Sequence, residues 1–115
     1  MNPKLQWFES PPHYRVAILN EHTEIGFAEF DVAADECQIR DIQIQERFRR
    51  KGYGSQLLAE ILNKGQKLGC KKSILEVRAS NIPAIRLYEK HSFIRSGLRK
   101  KYYQDGEDAV LMHKS

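Results

Sequence analysis

Seven residues constrain this chain more than any others: Arg49-Arg50-Lys51-Gly52-Tyr53-Gly54-Ser55. Upstream, Ile39, Ile42 and Ile44 read as a strand; downstream, Leu57, Leu58, Ile61, Leu62 and Leu68 recur at the three- and four-residue spacing of one helix face. The glycines therefore fall at a strand-to-helix turn. A backbone without Cβ atoms bends sharply there and approaches a ligand closely, while the unpaired amides of the first helical turn and the positive end of the helix dipole point into the loop. Three consecutive cations flank the turn. Concave amide donors and basic side chains both favour spread negative charge, so the combination suits a polyanion such as a pyrophosphate. Gly-x-Gly alone is a weak signal, and a solvated basic turn has the same composition, so the surroundings must decide.

Taken in order, residues 1–13 hold three prolines and no clear period, and read as an extended lead-in from which Trp7 and Phe8 can pack onto the body. Residues 14–115 read as the folded domain. A strand over 14–19, a polar turn over 20–23 and a returning strand over 25–32 make a hairpin. A further strand covers about 36–44, and within it the apolar positions change parity, from Ile39 on odd numbers to Ile42 and Ile44 on even ones. A bulge produces that change if all three face the core. The helix after the glycine loop runs to about Leu68 and stops at Gly69. The strand at 73–78 then lies parallel to 39–44 across that helix, which puts the glycine loop at a strand-end crevice, where ligands bind. Asn81 and Pro83 open the next helix as cap and first-turn proline, and Ile85, Leu87 and Tyr88 carry it to about Lys90. Strands over 93–98 and 109–113 are joined by a polar segment holding Tyr102 and Tyr103.

Composition excludes several classes. A length of 115 residues, 41% hydrophobic and 30% charged, is that of one globular domain rather than a disordered chain. No run approaches the roughly 18 apolar residues of a membrane span, and the first ten residues lack an apolar segment behind a basic start. No membrane partner and a cytoplasmic location are expected. Cys37 and Cys70 are isolated and read as reduced structural thiols. No metal site is expected from His13, His22, His91 and His113, which are scattered; His22 and His91 sit in polar, turn-like surroundings where solvation is the default. The net charge of +4 suits an anionic partner. Cations gather at 47–51 and 95–101 while interleaved base-stacking aromatics are few, so a nucleotide cofactor is favoured over nucleic acid.

Three features converge on one crevice: the cationic glycine loop, Glu76 inside an otherwise apolar strand, and Asn81 with Tyr88 on the helix beyond. Arg49-x-x-Gly52-x-Gly54 resembles the Gln/Arg-x-x-Gly-x-Gly/Ala signature of the GNAT acetyltransferase superfamily. Leu75-Glu76-Val77-Arg78-Ala79-Ser80-Asn81, followed by Ala84-Ile85-x-Leu87-Tyr88-Glu89 and Phe93, is similar to the RimI type, which acetylates the N-terminal alanine of a ribosomal protein. Tyr102-Tyr103-x-Asp105-Gly106-Glu107-Asp108-Ala109 is similar to the tyrosine-pair segment of RimI and of protein N-terminal acetyltransferases. The resemblance covers residues 14–114.

It implies an α+β domain of the GNAT acyl-CoA N-acyltransferase fold, with a mixed central sheet and flanking helices. It implies acetyl-CoA held by Ile42, Gln43 and Ile44 on the bulged strand, by Arg49, Arg50, Lys51, Gly52, Tyr53, Gly54 and Ser55 in the loop, and by Asn81. Glu76 matches the general base, Tyr88 the proton donor, and Tyr102 and Tyr103 the residues that meet the first residues of an acceptor peptide. Each has a plainer alternative. Glu76 can face solvent or pair with Arg78, Asn81 can be a simple cap, Tyr88 can be core, and the tyrosine pair can be exposed hairpin aromatics. The chemistry asks for a base, because an amine must be neutral to attack a thioester; an α-amine near pKa ~8 loses its proton far more readily than a lysine near ~10.4. Positioned proton transfer is worth ~10²–10⁴ in rate. A backbone amide of the bulged strand, that of Ile44, is placed to stabilise the oxyanion.

The reading is acetyl transfer to a protein N-terminus, with a lysine or small-molecule amine, or a non-catalytic acetyl-CoA-binding module, as alternatives. One departure bears on the acceptor side. Family members carry a strand and two helices before the hairpin, where this chain has residues 1–13. An open sheet edge beside 14–19 and an uncovered apolar face are therefore expected, with a symmetric homodimer to cover them.

Overall fold

The computed structural model describes residues 3–115. Seven strands form one sheet: β1 (Lys4–Ser10), β2 (His13–Asn20), β3 (Thr23–Ala33), β4 (Glu36–Ile44), β5 (Lys72–Arg78), β6 (Ile94–Arg99) and β7 (Ala109–Lys114), in the order β1-β2-β3-β4-β5-β7-β6. Helix α1 (Tyr53–Lys67) crosses from β4 to β5, and α2 (Ile82–Lys90) follows β5. Among the described residues only β4 and β5 run parallel, because a helix must return the chain between them; the other neighbouring pairs are antiparallel. The sheet is thus mixed, as expected.

Helix α1 buries Leu57, Leu58 and Ile61, and α2 buries Ile85 and Tyr88, in one core with Val16, Ile18, Phe30, Leu75, Val77 and Met112. Leu68, counted on that face from its spacing, lies just past the helix end and is exposed. Gly69, at φ +88°, takes the left-handed turn after it. A 3-10 turn at Glu46–Phe48, not legible as an element in the sequence, drops Phe48 into the core before the glycine loop begins. Phe93, counted with the last strands, lies buried just before β6 starts.

The lead-in departs from expectation. Residues 4–10 form a full strand whose register runs from Lys4 opposite Leu19 to Ser10 opposite His13. Leu5 and Trp7 alternate toward the core, and the Trp7 ring meets Phe30 edge-on at 6.3 Å. The edge at 14–19 is consequently paired. The face away from the helices is not the bare apolar surface expected either. Arg15 binds the Glu24 carboxylate at 3.0 Å and lies over the Phe27 ring at 4.4 Å, while Asp31 joins His13 and Arg40. Opposite charges on neighbouring strands satisfy one another across that face.

Candidate functional site

The expected bulge falls at Arg40. Glu29 pairs with Asp41 and Phe30 with Ile39, so Arg40 is the extra residue on β4. This is the point at which the parity changes, and it lets Ile39, Ile42 and Ile44 all reach the core. It also ends the parallel ladder: β4 pairs with β5 from Glu36 opposite Lys72 to Ile39 opposite Leu75, and no further. Beyond that, residues 41–44 pair only with β3, and residues 76–78 only with β7. The two strands part into a wedge, and the edge of β4 at Ile42, Gln43 and Ile44 has backbone donors and acceptors with no strand opposite.

The glycine loop closes one end of the wedge. Arg49 Nε donates to the Ile44 carbonyl at 3.0 Å, tying the loop back to the strand it leaves. Arg50 and Gly52 are both left-handed, at φ 62° and 86°. A Cβ on Gly52 would meet nothing within 4 Å, so glycine is there for its backbone conformation. At Gly54 a Cβ would stand 3.4 Å from Leu87 Cδ2 and 3.9 Å from Ile44 Cγ1, ordinary van der Waals contact, so α1 begins close against α2 and the end of β4. The first bond of α1 runs from Gln56 N to Gly52 O at 3.0 Å, which leaves the amides of Tyr53, Gly54 and Ser55 without a partner inside the helix. Arg50 and Lys51 are exposed beside them, and Tyr53 rests edge-on against Phe48 at 6.5 Å.

Ser55 has a partner that its sequence context did not disclose. Its Oγ lies 2.6 Å from His91 Nε2 at the end of α2. His91 is therefore not a solvated turn residue: burial, then the charges of Lys90 and Lys114, hold its pKa below the ordinary histidine value.

At the other end of the wedge, Asn81 caps α2, its Oδ1 accepting from Ala84 N at 3.3 Å. Tyr88, one helical face further along, is 7% exposed. Its phenol is pushed up to about 12, by burial first and then by the negative charge of Asp41 and the neighbouring Tyr103. Such a group stays protonated throughout the physiological range. Glu76 faces the helix-free side in a cleft of about 620 Å³ whose walls include Gln38, Arg40, Tyr102 and Leu111. Its nearest cation is Arg99, 3.9 Å away, and not Arg78, which turns to Asp105 and Glu107. The Tyr102 hydroxyl is raised by a hydrogen bond to Glu76 and by its charge, and Tyr103 is raised by burial with Glu76 as a lesser cause. Tyr102 and Tyr103 stand edge to face at 5.1 Å.

The residues singled out from the sequence thus fall into two groups, the glycine loop with the free edge of β4 and the first turn of α1, and Glu76 with Tyr102 and Tyr103 in the helix-free cleft, while Tyr88 is buried on α2. The first group presents amide donors and cations, chemistry that suits a polyanion, and the cleft presents a carboxylate with two phenols. Arg99, Arg78 and His91 belong to these clusters without having been singled out. Arg99 carried one signal, its place at the head of the tyrosine segment. The partners of Arg78 and His91 lie 27 to 36 residues away, beyond the reach of local pattern.

A seven-stranded mixed sheet opened by a bulge between its two parallel strands, with a glycine loop and helix N-terminus at the opening, defines the acyltransferase class of fold that the motifs implied. Residues 1–93 match the family model described as "Acetyltransferase (GNAT) family", and the chain belongs to that family. Over 90 residues it is 39% identical to the [ribosomal protein bS18]-alanine N-acetyltransferase of Escherichia coli K12, covering 76% of this chain and 61% of that one. The crystal structure of the ribosomal-protein-S18-alanine N-acetyltransferase from Escherichia coli superposes with a TM-score of 0.84 at 32% identity, over 91% of this chain and 70% of that chain. A Bacillus subtilis acetyltransferase solved in complex with CoA matches at TM-score 0.85 over 97% of both chains; at 16% identity, that likeness shows the fold alone. The chain spans less than two thirds of the length of the curated relative.

Proposed function

We propose that this chain transfers an acetyl group from acetyl-CoA to the α-amine of a protein N-terminus, by direct attack in a ternary complex. The observation that carries the reading is the wedge itself, with polyanion chemistry at one end and acid–base chemistry at the other. The amides of Tyr53, Gly54 and Ser55 and the cations Arg49, Arg50 and Lys51 take the pyrophosphate. The free edge of β4 at Ile42, Gln43 and Ile44 pairs with the amide-bearing arm, much as an added strand would, and Asn81 turns its remaining side-chain donors to it.

On the acceptor side, Tyr102 and Tyr103 hold the first residues of the peptide beside Glu76. Glu76, directly or through a water, removes the ammonium proton; the neutral nitrogen attacks the thioester carbon while the Ile44 amide stabilises the oxyanion, and the nitrogen gives up its second proton to solvent as the intermediate collapses to the amide. As the carbon–sulfur bond breaks, Tyr88 meets the departing thiolate. With the phenol at about 12 and a thiol near ~8.5, complete proton transfer is uphill, so Tyr88 acts as a hydrogen-bond donor to sulfur and solvent completes the protonation.

The name of the Escherichia coli relative, an alanine N-acetyltransferase of a ribosomal protein, supports the α-amine over a lysine or small amine, and the cytoplasm as the place of work. Since β1 pairs with the 14–19 edge and ion pairs occupy the helix-free face, the motive for a homodimer at that edge falls, and the free edge of the sheet passes to β1.

The catalytic assignment is tested by Glu76→Gln and Tyr88→Phe. Glu76→Gln should lower kcat by ~10²–10⁴ and Tyr88→Phe by about tenfold, with the acetyl-CoA Kd from calorimetry within about twofold of the parent. Unchanged turnover in both would remove the proposed chemistry, and equal losses in Kd would make them binding residues instead.

A further inference from the structure

β5 ends at Arg78, two residues beyond Glu76 and on the same side of the strand. All three partners of its guanidinium come from the segment joining β6 to β7. Nη1 donates to Asp105 Oδ2 at 2.8 Å and to Glu107 Oε1 at 3.1 Å, and the group stacks over the Tyr103 ring at 4.1 Å. The segment has no regular structure, so its shape depends on such ties. Its own backbone closes a tight turn, Tyr103 N to Glu107 O at 3.1 Å and Gly106 N to Tyr103 O at 2.9 Å, with Gly106 at φ +87°. Two further bonds anchor its ends, Ala79 N to Asp108 O at 3.0 Å and Lys101 N to Asp108 Oδ1 at 2.9 Å. Asp105 Oδ1 meanwhile accepts from the Glu107 amide at 3.0 Å. The carboxyls of Asp105 and Glu107 are held below the usual range, Asp105 first by that amide and Glu107 first by Ser80, with Arg78 contributing to both.

The consequence reaches the site. The face of Tyr103 lies on Arg78, Tyr102 and Tyr103 stand edge to face, and both line the cleft that holds Glu76, where Arg99 lies between the Tyr102 ring and the Glu76 carboxylate. One guanidinium thus holds the tyrosine pair that walls the Glu76 cleft. We propose that Arg78 is a positioning residue for the acceptor: it fastens the tyrosine segment over Glu76, and so sets how tightly the first residues of the acceptor are held, without touching the cofactor slot. This rests on the acetyl-transfer reading given above. Arginine differs from lysine here through its planar face, which stacks on the Tyr103 ring while Nη1 alone reaches both carboxylates.

The test compares Arg78→Ala, Arg78→Lys and Glu107→Gln with the parent, first for backbone hydrogen exchange over residues 100–108, then for steady-state transfer to an alanine-initiated peptide. Arg78→Ala should speed exchange in the segment and raise the peptide KM, each about tenfold, with kcat and acetyl-CoA Kd within about twofold. Arg78→Lys, which can keep an ion pair but loses the stacked plane, and Glu107→Gln should each fall between Arg78→Ala and the parent. Equal exchange and equal KM in Arg78→Ala would overturn the proposal, as would full rescue by lysine, or a loss spread evenly over KM, kcat and acetyl-CoA binding. If Arg78→Ala does not fold, Glu107→Gln, which alters an exposed pair, decides the matter through a smaller change of the same kind: faster exchange with a higher KM supports the proposal, and parental values for both overturn it. Should the parent acetylate no peptide, the activity reading fails by itself; exchange then judges the bracket, slowed by Arg78 if the proposal holds and indifferent to it if not.

Discussion

At the α1 end of the wedge the groups facing the opening are mostly backbone: three amides of the first helical turn, a left-handed glycine and the open edge of β4. At the Glu76 end they are side chains on a segment without regular structure, held by ion pairs between residues 27 and 29 apart in sequence. Backbone geometry of that kind follows from local sequence and suits any ligand with the same polyanion and arm. A segment fixed by distant side chains can be re-aimed by a few substitutions. The same fold can thus keep one donor while its acceptor changes.

The sharpest way to break the comparison is at Gly54. In Gly54→Glu a carboxylate is placed at the start of α1, beside Leu87 and the end of β4, where it adds bulk and negative charge next to the first-turn amides proposed to hold the pyrophosphate. Acetyl-CoA binding by calorimetry should fall at least ~100-fold, a loss of about 2.8 kcal/mol or more. A folded variant that binds with parental affinity would show that the loop is not the polyanion site.

The difference also explains what could be read from the sequence. The parity change between Ile39 and Ile42, the basic glycine turn and the α1 periodicity are local, so the bulge, the loop and the βαβ crossover were all legible. The lead-in was not. Prolines at 3, 11 and 12 and an outward Phe8 beside an inward Trp7 obscure an alternation of only two core residues, Leu5 and Trp7, and the strand forms because β2 offers it an edge. The apolar face expected on the far side carries ion pairs instead, and those partners lie on separate strands. Likewise the bond from Ser55 to His91 joins two helix ends that meet only in the folded chain.

A smaller effect sharpens the acceptor side. If β1 is an integral strand, Trp7→Ala should cost stability through lost contact with Phe30 and with the Lys64 ammonium 5.4 Å from its ring. For a half-buried tryptophan we expect about 2–3 kcal/mol in urea unfolding, with acetyl-CoA affinity unchanged. A loss below about 0.5 kcal/mol would make β1 an appendage and reopen the 14–19 edge to a partner.

The most direct measurement of the central claim is acetyl transfer from acetyl-CoA to paired peptides: one with a free N-terminal alanine and no lysine, the other with a blocked N-terminus and an internal lysine. The account predicts turnover of the free-alanine peptide near neutral pH, at a kcat/KM at least tenfold above the lysine peptide, because an α-amine near pKa ~8 is neutral far more often than a lysine near ~10.4. Tight acetyl-CoA binding with no transfer to either peptide, or a preference for lysine, would contradict it.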